Sequence, residues 1–191
     1  MLEVSGITLG RRSAARVDEL LVAARVAALS YGHPASTLGA ASPARLPDRS
    51  FTRTVAGTLA VATSTLRAWA PHQGIGRVVP PDAPIEVGTS VIVVAPFGPL
   101  QMAVPDRIVG VVDEHDRFGF AYGTLEGHAE VGEELFLAEQ VAPGELRLTI
   151  RIHARPGSFL ARLATPMVGV LQRAATRRYL DAWAGAIARA G

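Results

Sequence analysis

The sequence predicts an α+β fold: a curved antiparallel β-sheet wrapped on one long C-terminal helix, with an internal apolar cavity between them. Three observations carry that expectation. From Thr89 to His153 the chain is a succession of β candidates separated by short turns. From Leu160 onward apolar residues recur at helical spacing: Leu160, Leu163, Met167, Leu171 and Ala174, then Leu180, Trp183 and Ile187 after a small phase drift. Finally, a strongly curved sheet cannot bury its concave face alone, whereas one long helix laid across that face can, leaving a cavity where curvature opens space beneath it.

Composition bounds the remaining choices. A chain of 191 residues that is 49% hydrophobic can bury a large core. Residues 1–45 are expected to form a helical extension packed on a main domain of residues 46–191. There is no cysteine, which excludes disulfides, thiolate nucleophiles and Cys-ligated metals. All 19 basic residues are arginine, and they are scattered, so a phosphate-tracking stripe and a nucleic-acid partner are not expected. The longest apolar run, Val91–Val104, is interrupted by Pro96 and Pro99 and is too short to span a bilayer. No secretory h-region precedes Arg11 and Arg12. A cytoplasmic protein is expected, with association into a homodimer left open.

The elements follow in order. Residues 13–29 read as a helix, with Ser13 as cap, Val17, Leu20, Leu21, Ala24 and Ala28 on one face, and Gly32 and Pro34 ending it. Residues 30–48 are turn-rich. Residues 49–55 alternate as a strand. Leu59–Trp69 reads as a helix that Pro71 cannot continue. Arg77–Val79, Thr89–Ala95, Met102–Val104, Arg107–Asp113, Phe118–Leu125, Glu133–Val141 and Leu146–His153 are the remaining strands. In the last of these Leu146, Leu148, Ile150 and Ile152 share one face, while Arg147 and Arg151 share the other. Pro166 should kink or split the C-terminal helix.

The most chemically suggestive stretch is Gly119–Glu134, GFAYGTLEGHAEVGEE. Phe118, Phe120 and Tyr122 lie on one face of a strand, and Gly119, Ala121 and Gly123 leave the other nearly bare. The strand runs into Glu126, His128, Glu130, Glu133 and Glu134. Crowded carboxylates in a semi-apolar cleft repel one another, so one is held protonated near neutrality and can act as an acid, with His128 orienting it or shuttling its proton. Glu133 and Glu134 have opposite parity, so only one can face the cavity. A solvated turn is the ordinary alternative for such a loop. His128, Glu130, Glu133 and His115 are of metal-ligand type, but their spacing matches no metal motif, and no metal is expected. No G-x-S-x-G elbow and no dinucleotide fingerprint occur, so no cofactor is expected. Trp69, Tyr179 and Trp183 suit core or cavity wall, and His72 suits a hydrogen-bonding position at a helix end.

These residues resemble a family. GFAYGTLxGHxExGEE, preceded by Val111–Glu114, is similar to the core motif of the family known as DUF1990 or UPF0548. Leu29–Gly39, Trp69 with His72, Arg155-Pro156 and the tail Leu171–Leu180 also resemble it, so the likeness covers about residues 29–183. Glu126, Ala129 and Val131 depart from the Pro, Pro and Ser usual in its loop. The family is similar to START-like and Bet v 1-like (SRPBCC) helix-grip proteins, which bind lipids, hormones and aromatic metabolites and include polyketide cyclases. The resemblance implies a hydrophobic small-molecule ligand contacting Phe120, Tyr122, Trp69, His72, Tyr179 and Trp183. With Glu130, Glu133, Glu134 and His128 as acid–base groups, the expectation is a cofactor-independent cyclase closing hemiketal or spiroketal rings on a polyketide, as in antibiotic biosynthesis. The alternative is a non-catalytic carrier or sensor of a lipid or aromatic metabolite. If the acid lies elsewhere, Asp113 and His115 on the preceding turn are next in line.

Overall fold

The structure is a computed structural model that describes residues 3–4, 7–8, 14–39, 46–97, 100–128, 130–157 and 165–191. Two short strands, β1 (Glu3–Val4) and β2 (Ile7–Thr8), pair with each other ahead of helix α1 (Ala14–Val26). A single 3₁₀ turn, Ser36–Leu38, precedes strand β3 (Asp48–Ala56). Helix α2 (Leu59–Arg67) and a second 3₁₀ turn, Ala70–Gly74, then cross to β4 (Arg77–Val79). Strands β5 (Ser90–Phe97), β6 (Leu100–Asp113), β7 (Arg117–Thr124), β8 (Glu130–Ala142) and β9 (Glu145–Pro156) form an antiparallel meander, and α3 (Thr165–Ala190) closes the chain.

One seven-stranded antiparallel sheet in the order β3-β9-β8-β7-β6-β5-β4 holds the molecule together. The connection through α2 carries the chain from one edge of the sheet to the other. The meander then returns strand by strand until β9 pairs with β3.

Alternation in β9 settles which face is inside. Leu146, Leu148, Ile150 and Ile152 are all buried, while Arg147 is exposed and pairs with Glu139. Their cross-strand partners on β8 and β7, including Ala138, Phe136, Phe120 and Tyr122, join Leu180, Trp183 and Ile187 of α3 in one core. Trp183 is fully buried and its indole N–H donates to Thr65 Oγ1 of α2 at 3.1 Å, so α2 and α3 are tied together over the concave face. On the convex side Val17, Leu21 and Ala24 of α1 pack with Val79, Ile92, Val94, Ala103 and Leu125. Leu20 is only partly buried and Ala28 lies beyond the helix.

Several expected boundaries shift, each for a local reason. Met102–Val104 and Arg107–Asp113 are not two strands but one continuous β6 running through Pro105. Pro105 pairs with Ile92 of β5 and its carbonyl accepts from Leu125 N–H on the β7 side, so its missing N–H faces the end of the β6–β7 ladder, whose last pair is Asp106–Thr124. β8 begins at Glu130 rather than Glu133, which moves Glu130 from loop to strand. α2 ends at Arg67 because Trp69 turns left-handed (φ 54°). That conformation is uncommon for a bulky residue. It is held by the indole N–H donating to Ala83 O at 2.9 Å and by edge contact with Phe120. Pro166 falls in the first turn of α3, where it is tolerated. Leu160 and Leu163 lie outside the described residues. No described helix is long and apolar enough to cross a membrane.

Candidate functional site

The cluster is divided by strand parity. Glu134 lies opposite Tyr122 and Ile152 and so faces the concave side with them, whereas Glu133 lies opposite Gly123 and His153 on the convex side.

Glu133 is 2% exposed, and its carboxylate is saturated with donors. Tyr31 Oη donates to Oε1 at 2.6 Å; Oε2 accepts from Thr37 N–H at 2.9 Å, Thr37 Oγ1 at 3.1 Å and Ser36 Oγ at 3.1 Å. Ser36 Oγ also reaches His153 Nδ1 at 3.2 Å, and His153 Nε2 lies 3.3 Å from Asp48 Oδ1. The bare face of β7 thereby acquires a reason. A Cβ at Gly123 would collide with the Tyr31 hydroxyl, and one at Gly110 of β6 with Leu38. Glycine at both positions lets residues 30–38 lie flat on the sheet, pinned by Glu133.

On the concave side the arrangement is different. Tyr122 Oη donates to Glu134 Oε2 at 2.7 Å, Tyr179 of α3 shares a hydrogen bond with Tyr122, and His72 Nε2 lies 3.3 Å from Tyr122 Oη. His72 is carried by the Ala70–Gly74 turn into a cage of aromatic rings, 5.0 Å centroid to centroid from Trp69, Phe136 and Tyr179. Burial holds its pKa down at about 3, so the ring is neutral. Since the Tyr122 proton goes to Glu134, His72 donates through Nε2, and its buried Nδ1 has no hydrogen-bond partner among the described residues.

Around Glu134 stand Glu130, Asp106, His128 and Arg49. Glu134 and Glu130 are half-buried, and Asp106 is 2% exposed. Burial raises the Glu134 pKa to about 7, with repulsion from Glu130 adding to it and the Tyr122 hydrogen bond and Arg49 opposing. Glu134 thus keeps some solvent contact, but its carboxyl is ringed closely enough by protein for desolvation to dominate. Burial also raises Glu130, opposed by Arg49, and pushes Asp106 well above the ordinary carboxylate range, aided by Glu134 and Glu130. His128 is held down at about 4 by burial. The phenols of Tyr122 and Tyr179 are pushed up by burial and by Glu134. The result is a semi-enclosed group of three carboxyls, two phenols, two neutral imidazoles and one guanidinium, with a proton shared near neutrality.

Not every expected residue joins this group. Glu126 is on the exposed turn before His128. Phe120 is fully buried and stacked on Phe136 at 5.4 Å, so it forms the floor. Trp69 and Trp183 are wall residues whose N–H groups are already used. Asp113 and His115 lie at the other end of β7, with His115 91% exposed, so that turn does not border the cluster. Asp106 and Arg49 join the cluster although neither belongs to the Gly119–Glu134 stretch. Inward parity was the available signal: Asp106 alternates with Val104 and Ile108, and Arg49 with Phe51, but Asp106 falls in the gap between the two expected strands Met102–Val104 and Arg107–Asp113.

An open groove of about 500 Å³ lies on the convex side against Thr37, Leu38, Leu135 and Leu137. Its arginines are already paired, Arg117 with Glu114 and Arg151 with Asp48, and it contains none of the concave cluster. Among the described residues no three His, Asp or Glu side chains converge as metal ligands.

Comparison with known proteins adds three findings. The model of a family described as "Domain of unknown function (DUF1990)" matches residues 52–182. A UPF0548 protein of Deinococcus radiodurans is 40% identical over 98 residues, 48% of this chain and 50% of that protein. A UPF0548 protein of Arabidopsis thaliana is 32% identical over 110 residues, 54% of each. The matches span about half the length of these relatives. Among solved structures, a hypothetical protein of Helicobacter pylori superposes with TM-score 0.57 at 12% identity, over 76% of this chain and 88% of its own. Norcoclaurine synthase of Thalictrum flavum, solved with dopamine and hydroxybenzaldehyde, superposes with TM-score 0.53 at 12% identity, over 86% of this chain and 96% of its own. The fold is START-like, of the Bet v 1 helix-grip type.

Proposed function

The chain belongs to the DUF1990 family, and for this member we propose acid–base chemistry on a hydrophobic, oxygen-rich small molecule held between the concave sheet and α3. The observation that carries this reading is Glu134. It is half-buried on the concave face, fixed by Tyr122 at 2.7 Å and poised near neutrality beside Glu130 and Asp106. Packing alone has no use for three crowded carboxyls in a helix–sheet core. Burying them costs stability, and an apolar set of the same volume would do better.

Ring closure on a flexible polyketide-like chain, of the hemiketal or spiroketal type, suits such a group. Protonated Glu134 gives its proton to a departing or developing hydroxyl, and its carboxylate takes one from the incoming hydroxyl. Arg49 and Glu130 balance the charge that develops. The phenols beside Glu134, Tyr122 and Tyr179, backed by the packed rings of Phe120 and Phe136, select a folded conformer of the ligand. The norcoclaurine synthase likeness supports a ligand-holding use of the fold and bears on nothing finer.

The test is conversion of open-chain aryl δ-hydroxyketones, followed by loss of the carbonyl absorption. Wild type should accelerate closure over buffer, and Glu134→Gln should lose at least a hundredfold of that acceleration, the ordinary worth of a positioned acid. Tight binding of these compounds with no acceleration by wild type would leave a carrier, not a catalyst.

A further inference from the structure

We propose that Asp106 and His128 form a two-donor hole for a ligand carbonyl oxygen, so that the substrate class is a hydrophobic ketone or aldehyde. This rests on the reading of the concave cluster as a ligand site. Three observations on these two residues support it.

The first is a buried oxygen without a partner. Asp106 is 2% exposed, yet its Oδ1 has no hydrogen-bond partner among the described residues; the nearest polar atom on His128 is Nε2, at 3.8 Å. That separation is too long for a direct hydrogen bond. One oxygen about 2.8 Å from each atom would bridge the two. Buried polar atoms are rarely left unpaired, and a carboxyl oxygen on the inner face of β6 calls for a partner.

The second is the direction of the imidazole proton. Glu130 N lies 2.8 Å from His128 Nδ1, and Glu130 O lies 3.1 Å from the same atom. A backbone N–H can only donate, so Nδ1 is the acceptor and the proton of the neutral ring is on Nε2. His128 therefore carries its N–H on the nitrogen that lies 3.8 Å from Asp106 Oδ1. The loop that carries it is closed by the ring itself, which holds the donor in place without a ligand.

The third is the charge around Asp106. Glu134 and Glu130 both act on it across the concave face, and among the described residues no cationic group lies in hydrogen-bond reach of its Oδ1. Burial first, and then this crowding, holds its pKa well above the ordinary carboxylate range and biases it toward the neutral acid, whose O–H is the second donor to the same bridging oxygen. A protonated aspartic acid beside another neutral donor is a known way to polarise a carbonyl in an apolar site.

The chemistry follows with atoms in balance. A ligand hydroxyl attacks the carbonyl carbon, and a C–O bond forms. The π pair moves to the carbonyl oxygen, which is held by Asp106 and His128. The hydroxyl proton passes to the Glu134 carboxylate and returns to the new alkoxide, so no co-reactant is consumed.

The experiment uses the full chain and a matched pair of probes, 2-acetylnaphthalene and 2-isopropenylnaphthalene, which differ by C=O against C=CH₂. Each displaces N-phenyl-1-naphthylamine, whose fluorescence reports occupancy. The ketone should bind about tenfold more tightly than the alkene, the worth of two hydrogen bonds to buried donors. The infrared stretch of ¹³C-carbonyl-labelled ketone should shift to lower frequency on binding. Asp106→Leu should abolish both effects, and His128→Phe provides the same check if that variant does not fold. If wild type binds neither the fluorophore nor the probes, the pocket reading falls and the hole with it. If both probes bind equally and the carbonyl band does not move, the pocket stands and the hole is refuted.

Discussion

The Tyr122 hydroxyl donates to Glu134 Oε2 at 2.7 Å across the β7–β8 pair, and this hydrogen bond lowers the Glu134 pKa against the burial that raises it. Tyr122→Phe removes that donor and leaves the burial unchanged. The Glu134 pKa should therefore rise further, by roughly one unit, since such a bond is worth about 1–2 kcal/mol. Carboxyl-¹³C NMR titration of the side chain measures it. An unchanged or lower pKa would show that Tyr122 does not hold the carboxylate form.

Glu134 also makes stability depend on pH. Its pKa is about 7 in the folded protein against the ordinary 4.5, so the folded state holds this proton more tightly than the unfolded chain. Its contribution is fully present below pH 4.5 and is lost as pH rises through 7. Between pH 5 and 8 the loss should be on the order of 2–3 kcal/mol. Glu134→Gln, which stays neutral, should remove that part of the slope. Urea unfolding of both forms at the two pH values is the measurement, and parallel slopes would refute the assignment.

The convex clamp has a separate signature. Glu133→Ala strips the acceptor from Tyr31, Ser36 and Thr37 and should cost about 3–5 kcal/mol, as expected for breaking a buried charged network. Hydrogen exchange should accelerate in residues 30–38 first. Gly123→Ala should imitate this by driving the Tyr31 hydroxyl away. Unchanged exchange in that segment would mean that something other than Glu133 holds it.

Asp106→Leu should raise stability. A buried carboxyl with an unpaired oxygen costs about 1–3 kcal/mol, and leucine of similar size removes that cost. A higher thermal midpoint together with lost carbonyl preference identifies a group kept for function. A fall of the midpoint would mark Asp106 as structural.

Phe120→Ala should cost about 3–5 kcal/mol, because the ring is fully buried and packed on Trp69 and Phe136. A loss well below 1 kcal/mol by chemical denaturation would show that the ring borders open space rather than packed core.

Local periodicity was enough to determine much of this protein. The two-residue alternation of Leu146–His153 chose the buried face of β9, the spacing of Leu180, Trp183 and Ile187 chose the buried face of α3, and the order of elements together with the central motif implied the helix-grip fold. These features are legible because each is set by neighbours in the chain and by the requirement to hide apolar surface. Parity also showed that Glu133 and Glu134 must part company. Which one turns inward depended on register with Tyr122 and Ile152, a property of three strands and not of one. Asp106 and Arg49 enter the cluster from β6 and β3, and His72 from a turn between them, so no spacing within the Gly119–Glu134 stretch could reveal them. Only the closed sheet brings these groups close enough for burial and mutual repulsion to shift their protons. Those forces act through space between residues distant in sequence, and so the chemistry was decided by the tertiary structure.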